Sequence, residues 1–364
     1  MNERAKPKHE QLKAEILEWI HSGRYQPNDQ LPTEHEISEQ SGMSRQTVRQ
    51  SIGALVQEGW LYRKQGSGTF VSHGPERRTT GGVPAIGVMT TYISEYIFPQ
   101  IVRGAESALR ERGYHMIISS TDNDKSKERG NLLSLQSGPI RGLIIEPTKS
   151  AMGNPNLDCY LSLDQLQIPY LMINERYPEL DCPCVKVDDE HGGYIAAKHL
   201  IDLGHRRIAG FFKTDDLQGG QRLKGFLRAH HEGNVTVQPQ DVITYSTEEK
   251  RTTTYERALS SLMNEHERPT ALVVYNDELA VHLLEAVRQA GLRVPDDLSV
   301  VSFDDSFLAE ATETKLTTVA HPKDELGIRA AELLMDMIEY KTDAMPRDII
   351  FQPQLIVRES TKKS

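Results

Sequence analysis

Cysteine is scarce in this 364-residue chain, and its three copies, Cys159, Cys182 and Cys184, stand at spacings that build neither a disulfide framework nor a four-ligand zinc site. They read as inert thiols. Thirteen histidines are present, yet none is paired as His-x3-His, and the adjacent His230 and His231 cannot share a helix face. No metal is expected. Apolar runs are only a few residues long, which excludes a membrane-spanning helix, and the charged opening Met1–Lys8 has no apolar stretch behind it. The expected compartment is the reducing cytoplasm. Neither a serine nucleophile elbow nor a phosphate loop occurs, and neither repeats nor low-complexity tracts break the chain. The neighbouring carboxylates Asp188-Asp189 and Asp304-Asp305 do not make a glycosidase pair, because adjacent strand residues point to opposite faces. No catalytic residue and no enzyme activity are expected.

A positive balance is missing as well: 42 Lys and Arg stand against 52 Asp and Glu, a net charge of −10. The deficit is uneven. Residues 1–80 hold 11 basic and 10 acidic side chains, and the remainder 31 and 42. A near-neutral head on an acidic body leaves DNA binding open, since phosphate contact needs a few placed cations on one face. With 38% apolar and 26% charged residues, the chain is globular and long enough for more than one core.

The first seventy residues read as three short helices and a hairpin. Leu12, Ile16, Trp19 and Ile20 form one apolar stripe. Thr33 and Glu36 have capping-box spacing, Gly42 closes the second helix, and Ser44 opens a third that runs to Glu58 with Val48, Ile52, Leu55 and Val56 inward. Only Met43 separates Gly42 from Ser44, which is helix-turn-helix spacing. Two strand-like pieces, Trp60–Lys64 and Thr69–Val71, joined by Gln65-Gly66-Ser67-Gly68, make a wing. Residues 73–83 read as a linker. From Pro84 onward, short β runs at Ile86, Tyr114, Gly142, Tyr170, Arg207, Ala271 and Ser299 alternate with helical stretches. That alternation predicts parallel sheets covered by helices, in two lobes.

On the third helix, Arg45, Gln46 and Arg49 lie on an arc beside the apolar stripe, where Arg can pair with guanine and Gln with adenine in the major groove. Ser44 and Thr47 suit phosphate oxygens. Gln65, Gly66, Ser67 and Gly68, helped by Arg63 and Lys64, can reach the minor groove, although any hairpin needs turn glycines. In the body, ligands of open α/β sheets sit beyond the carboxyl ends of strands. Glu146, Asn174-Glu175-Arg176, Asn276-Asp277 and Asp304-Asp305 occupy such positions. Hydroxyl-rich ligands are satisfied by such carboxylates, amides and guanidinium groups.

Residues 1–72 resemble the winged helix-turn-helix head of the GntR family, on Leu31-Pro-Thr-Glu, Ser44-Arg-Gln-Thr-Val-Arg and Gln65-Gly-Ser-Gly-Thr-Phe-Val. Residues 84–364 resemble the effector domain of the LacI/GalR family, itself similar to periplasmic sugar-binding proteins. Gly204-His-Arg-Arg-Ile-Ala, Arg222-Leu-Lys-Gly-Phe, Asn276-Asp277 and Pro295-Asp-Asp-Leu-Ser-Val-Val-Ser-Phe-Asp-Asp carry this likeness. The implied fold is a winged helix-turn-helix (α+β) plus a two-lobed, periplasmic-binding-protein-like α/β domain. The head resemblance also places Glu34 near the bases, while an acid in a first turn equally complements the helix dipole. The body resemblance singles out Arg222, Asn276 and Asp304 as hydroxyl partners, and Tyr92, Tyr96, Glu146, Arg176 and His321 as pocket lining. Lys149 and Lys213 lie in similar positions. The combination of head and body is similar to the arabinose-responsive repressors of bacilli. It implies a homodimer on double-stranded, pseudo-palindromic operator DNA, released by a sugar effector, L-arabinose on resemblance alone, with no other cofactor and no membrane. Another sugar or a purine is the alternative effector; a transport-type binding protein fits the body but leaves the head unexplained.

Overall fold

The computed structural model describes residues 8–21, 24–26, 28–57, 59–64, 68–72, 84–94, 96–340 and 347–364. The chain divides into two compact units, Met1–Gly82 and Val83–Ser364. The expected linker, 73–83, lies outside the described residues.

The head contains α1 (Lys8–His21), α2 (Glu34–Ser41), α3 (Arg45–Gln57), β1 (Leu61–Lys64) and β2 (Gly68–Val71). Leu12, Ile16, Ile37, Val48, Ile52, Leu55, Leu61 and Val71 are buried in one core, while Ile20 and Val56 are partly buried at its edge. Each such aliphatic side chain contributes roughly 1.5–3 kcal/mol by leaving water. The capping box forms: Glu36 N donates to Thr33 Oγ1 at 3.3 Å and Thr33 N donates to Glu36 Oε2 at 2.7 Å. The bond from Thr33 N, with a second from Thr33 Oγ1 to the same oxygen at 2.9 Å, holds the Glu36 carboxyl pKa below its ordinary value. Gly42 ends α2 with φ +66, the left-handed conformation that glycine adopts without a Cβ clash. Ser51 Oγ donates to His9 O at 2.8 Å, fastening α3 to α1. Strands β1 and β2 pair antiparallel from Leu61↔Val71 to Lys64↔Gly68, which is the wing.

In the second unit, the first lobe is built on β3 (Ala85–Thr90), β4 (His115–Ser120), β5 (Ile140–Ile145), β6 (Tyr170–Ile173) and β7 (Cys184–Val187). They are connected by α4 (Phe98–Glu111), α5 (Lys125–Gln136) and α6 (Leu157–Gln165). The second lobe follows with α7 (Asp189–Asp202), β8 (Ile208–Lys213), α8 (Leu217–Glu232), β9 (Val242–Tyr245), α9 (Thr253–Met263), β10 (Ala271–Val274), α10 (Asp277–Gln289), β11 (Ser299–Asp304), α11 (Phe307–Ala311) and β12 (Thr317–Ala320). The chain then returns as α12 (Lys323–Tyr340) and β13 (Ile349–Phe351) to the first lobe, and ends with β14 (Leu355–Ile356) in the second.

The sheets run β13-β7-β6-β5-β3-β4, all parallel, and β14-β12-β11-β10-β8-β9, parallel except for β14. Strands β3, β6, β10 and β11 are buried at every residue, as a sheet covered on both faces requires. Helices α7 and α8 cross in close contact: a Cβ on Gly225 would meet Glu190 O at 1.9 Å, and one on Gly193 would meet Arg222 O at 2.0 Å. This crossing seats Arg222, in the middle of α8, under the ends of β10 and β11. No helix among the described residues is long and apolar enough to cross a membrane.

Candidate DNA-reading face and ligand cleft

Ser44 caps α3 by accepting from Thr47 N at 3.2 Å, and the two hydroxyls bond each other at 2.9 Å. The side chains of the next residues, Arg45 and Gln46, are exposed and make no hydrogen bond among the described residues. One turn on, exposed Arg49 donates through Nε to Glu34 Oε2 at 3.1 Å, and Arg63 of the wing reaches Glu34 Oε1 at 3.4 Å. Glu34 therefore bridges α2, α3 and β1, and its charge is matched by two guanidinium groups. The three basic and amide side chains of α3 stand on one open face, with Glu34 setting the direction of Arg49. Gly68 opens β2; Gln65, Gly66 and Ser67 lie outside the described residues.

Between the lobes of the second unit is a cleft of about 370 Å³, within the size of small-molecule sites. Tyr92, Tyr96, Glu146, Arg222, Asn276 and Asp304 come together on its walls, with Lys149 and Lys213. Arg222 is almost fully buried. Its Nε donates to Asp189 Oδ1 at 2.7 Å, its Nη1 donates to Tyr275 O at 2.6 Å, and Nη2 lies 3.6 Å from Asp304 Oδ1. The guanidinium also lies over the rings of Tyr275 and Phe303, at 4.7 and 4.4 Å. Burial pushes the Asp189 carboxyl up to about 6, against the pull of Arg222.

Glu146 accepts from Thr91 N at 2.8 Å, Thr91 Oγ1 at 2.7 Å and Asn174 Nδ2 at 2.8 Å. Burial raises its pKa, and these bonds oppose the rise. Because the Asn174 amide faces Glu146, its carbonyl faces His321 Nε2 at 3.1 Å, which fixes the proton on Nε2. Burial lowers the His321 pKa to about 4, so the ring is neutral. Asp277, next to Asn276, accepts from Ser302 Oγ, from Thr318 Oγ1 at 2.9 Å and from Ser306 N at 2.7 Å. Burial carries it to about 6.

Two expected lining residues are placed elsewhere. Arg176 turns away to Asp348, with Nη1 donating to Oδ1 at 2.8 Å and to Cys182 O at 3.0 Å. The acid that captures it arrives with the strand β13 segment, far along the chain. His321 stands behind the wall and supports Asn174. Tyr245, Tyr275, Gln218 and Lys250 line the cleft without having been singled out. Tyr275 could have been found as the residue closing the apolar Ala271 strand run, whereas Tyr245 ends a strand whose apolar run is broken by Thr244. The Tyr245 hydroxyl is buried with no hydrogen-bond partner among the described residues. The neighbouring carboxylates are dispersed: Asp188 caps α7 by accepting from His191 N at 2.9 Å, Asp189 holds Arg222, and Asp305 meets Arg358 at 2.7 Å.

Four of the five cations lining the cleft are compensated, while Arg251 makes no ion pair among the described residues. Lys149 pairs with Glu248, Lys213 with Asp216 at 3.1 Å, Lys250 with Glu278 at 2.5 Å, and Arg222 with Asp189. Such walls suit an uncharged, hydroxyl-bearing ligand better than an anion, which would have to displace those carboxylates.

Residues 8–71 match the bacterial regulatory proteins of the gntR family, and residues 197–361 match a periplasmic binding protein-like domain. The whole chain is 57% identical to an arabinose metabolism transcriptional repressor of Geobacillus stearothermophilus, covering 100% of both chains. The chain belongs to the family of arabinose metabolism transcriptional repressors. Another member, from Halalkalibacterium halodurans, is 46% identical over 98% of this chain and 96% of its own. Among solved structures, a LacI family transcriptional regulator from Enterococcus faecium with bound ribose superposes with a TM-score of 0.66 at 26% identity. That match covers 77% of this chain and 99% of the regulator. This chain thus carries a gntR-type winged helix and a two-lobed domain of the LacI type.

Proposed function

We propose that this chain represses arabinose-utilisation genes in the cytoplasm, binding operator DNA as a homodimer and leaving it when L-arabinose fills the interlobe cleft. Arg45, Gln46 and Arg49 read base edges, Ser44 and Thr47 meet phosphates, and the wing tip from Gln65 to Gly68 follows the adjacent minor groove. Arg222, Asn276 and Asp304 bind sugar hydroxyls, with Tyr92, Tyr96 and Glu146 around them. The protein is a regulator without turnover. One observation carries the reading: an exposed α3 face with unpaired Arg45 and Gln46 side chains and a polar cleft whose cations are mostly paired lie on one chain, which is 57% identical over its full length to an arabinose metabolism repressor.

Fluorescence anisotropy at one fixed salt concentration tests it. A pseudo-palindromic operator should saturate, and L-arabinose should release the complex while a panel of other sugars does not. Release by another sugar would discard the effector and keep the switch; no saturable preference would discard the head assignment. The ribose bound to the similar Enterococcus faecium regulator favours a second reading, in which a different pentose is the effector.

A further inference from the structure

Helices α8 and α10 of the second lobe begin at the cleft. The first amide groups of a helix have no partner within it and must be satisfied from outside. Each helix supplies one cap of its own. Asp216 accepts from Gly219 N at 2.7 Å, and Asn276 accepts from Leu279 N at 2.9 Å. The first helical amides are satisfied differently. Leu217 N donates to Ser150 Oγ at 2.9 Å, and Asp277 N donates to Tyr96 Oη at 3.1 Å. Both hydroxyls belong to the first lobe, Tyr96 in the loop after β3 and Ser150 in the loop after β5.

Tyr96 goes further: its hydroxyl donates to Phe303 O at 3.3 Å, at the end of β11, so one oxygen joins the first lobe to two strand and helix ends of the second. Its backbone has φ +59, the left-handed region that a tyrosine enters only when the surroundings hold it there. Two further bridges flank this pair. Asn123 Nδ2 donates to Thr247 Oγ1 at 2.8 Å, and Ala151 N donates to Asp215 O at 3.3 Å.

We propose that Ser150 and Tyr96 are a latch that caps two helices of the opposite lobe and sets how readily the cleft closes, and therefore the effector concentration at which the repressor leaves DNA. When the lobes part, the amides of Leu217 and Asp277 lose their partners together, so closure is favoured by groups that need not touch the sugar. An apparent dissociation constant is the intrinsic one divided by the fraction of closed protein, so weakening the latch raises the sugar concentration required. This rests on the interlobe cleft being the effector site.

The test uses the full chain with dyes on Leu133→Cys in the first lobe and Met263→Cys in the second. Both positions are exposed, while the three native cysteines are buried. Ser150→Ala and Tyr96→Phe each remove one hydroxyl. In the sugar-free protein each variant should shift the interdye distribution toward greater separation, and L-arabinose binding should weaken by roughly 2- to 10-fold in Ser150→Ala, which loses one net hydrogen bond, and by roughly 5- to 100-fold in Tyr96→Phe, which loses two. The sugar-free measurement is independent of which sugar fills the cleft, so it separates failure of the latch from failure of the effector assignment. Unchanged sugar-free distances in both variants would overturn the proposal, even with weakened sugar binding, because the hydroxyls would then act only as ligand contacts. A shift in distance with unaltered affinity would overturn it equally.

Discussion

Replacing Arg222 by Met keeps much of the side-chain length and removes the charge. In the native protein the guanidinium makes two short hydrogen bonds, to Asp189 at 2.7 Å and Tyr275 O at 2.6 Å, with Asp304 3.6 Å away and two aromatic rings against its faces. Hydrogen bonds to charged groups contribute roughly 1.5–3 kcal/mol each. Breaking one partner of a buried pair costs roughly 3–5 kcal/mol, because the other charge is left alone. Since methionine retains part of the packing, about 3–5 kcal/mol is the expected loss, or a fall of roughly 6–20 °C in Tm for a domain of this size.

The assay can separate the two units. Trp19 and Trp60, the two tryptophans, both lie in the head, so tryptophan fluorescence follows the head while far-UV circular dichroism follows the whole chain. The dichroism transition should fall and the fluorescence transition should stay. The pH dependence has a definite sign. Burial already raises Asp189 to about 6, and losing Arg222 raises it further. A carboxyl raised in the folded state is most stable protonated, so the variant's deficit should be largest above pH 7 and shrink as pH falls toward 6. A loss under about 1 kcal/mol at pH 7, or a deficit that grows on acidification, would refute the reasoning.

Arg45→Ala and Gln46→Ala should each cost roughly 1–3 kcal/mol of operator discrimination and leave the sugar Kd unchanged, as competition titrations with single-base operator variants will read. Glu34→Gln frees Arg49 and Arg63 from their shared acid; head stability should change by less than about 1 kcal/mol, while the slope of log K against log salt should steepen by about one or two. His321 is held neutral with a folded pKa of about 4, below its unfolded value of 6.5, so its contribution is present above pH 6.5 and is lost as pH falls toward 4, by about 3 kcal/mol in all. Nitrogen NMR should show an Nε2-protonated ring at pH 6, and an acid limb that flattens in His321→Gln; a titration near 6.5 would contradict the buried placement.

Local signals carried most of the architecture. Thr33-x-x-Glu36, Gly42 and Ser44 act within a few residues of themselves, so their spacing alone announces two capped helices and a tight turn. Buried strands such as β3, β6, β10 and β11 announce themselves by continuous apolar runs, because parallel sheets hide both faces. Strands β7, β9 and β12 did not, since Lys186, Thr244, Thr317 and Thr318 break their apolar runs, and β13 and β14 are only three and two residues long. They are strands because an existing sheet edge supplies their hydrogen bonds.

The site was legible where function depends on the end of a strand: Glu146, Asn276 and Asp304 follow apolar runs and do line the cleft. It was not legible where a partner comes from afar. Arg176 has the right type and position but is taken by Asp348, Glu34 gains two guanidinium partners from α3 and the wing, and Arg222 meets Asp189 only because glycines let α7 and α8 touch. The sequence by itself determined which segments become helices and strands and which polar residues stand at their ends, since those depend on neighbours along the chain. Only the tertiary structure decided which charges pair, which face is left free and which hydroxyl caps a helix of the opposite lobe, because these are distances of a few ångströms between residues that the chain separates by tens to hundreds of positions.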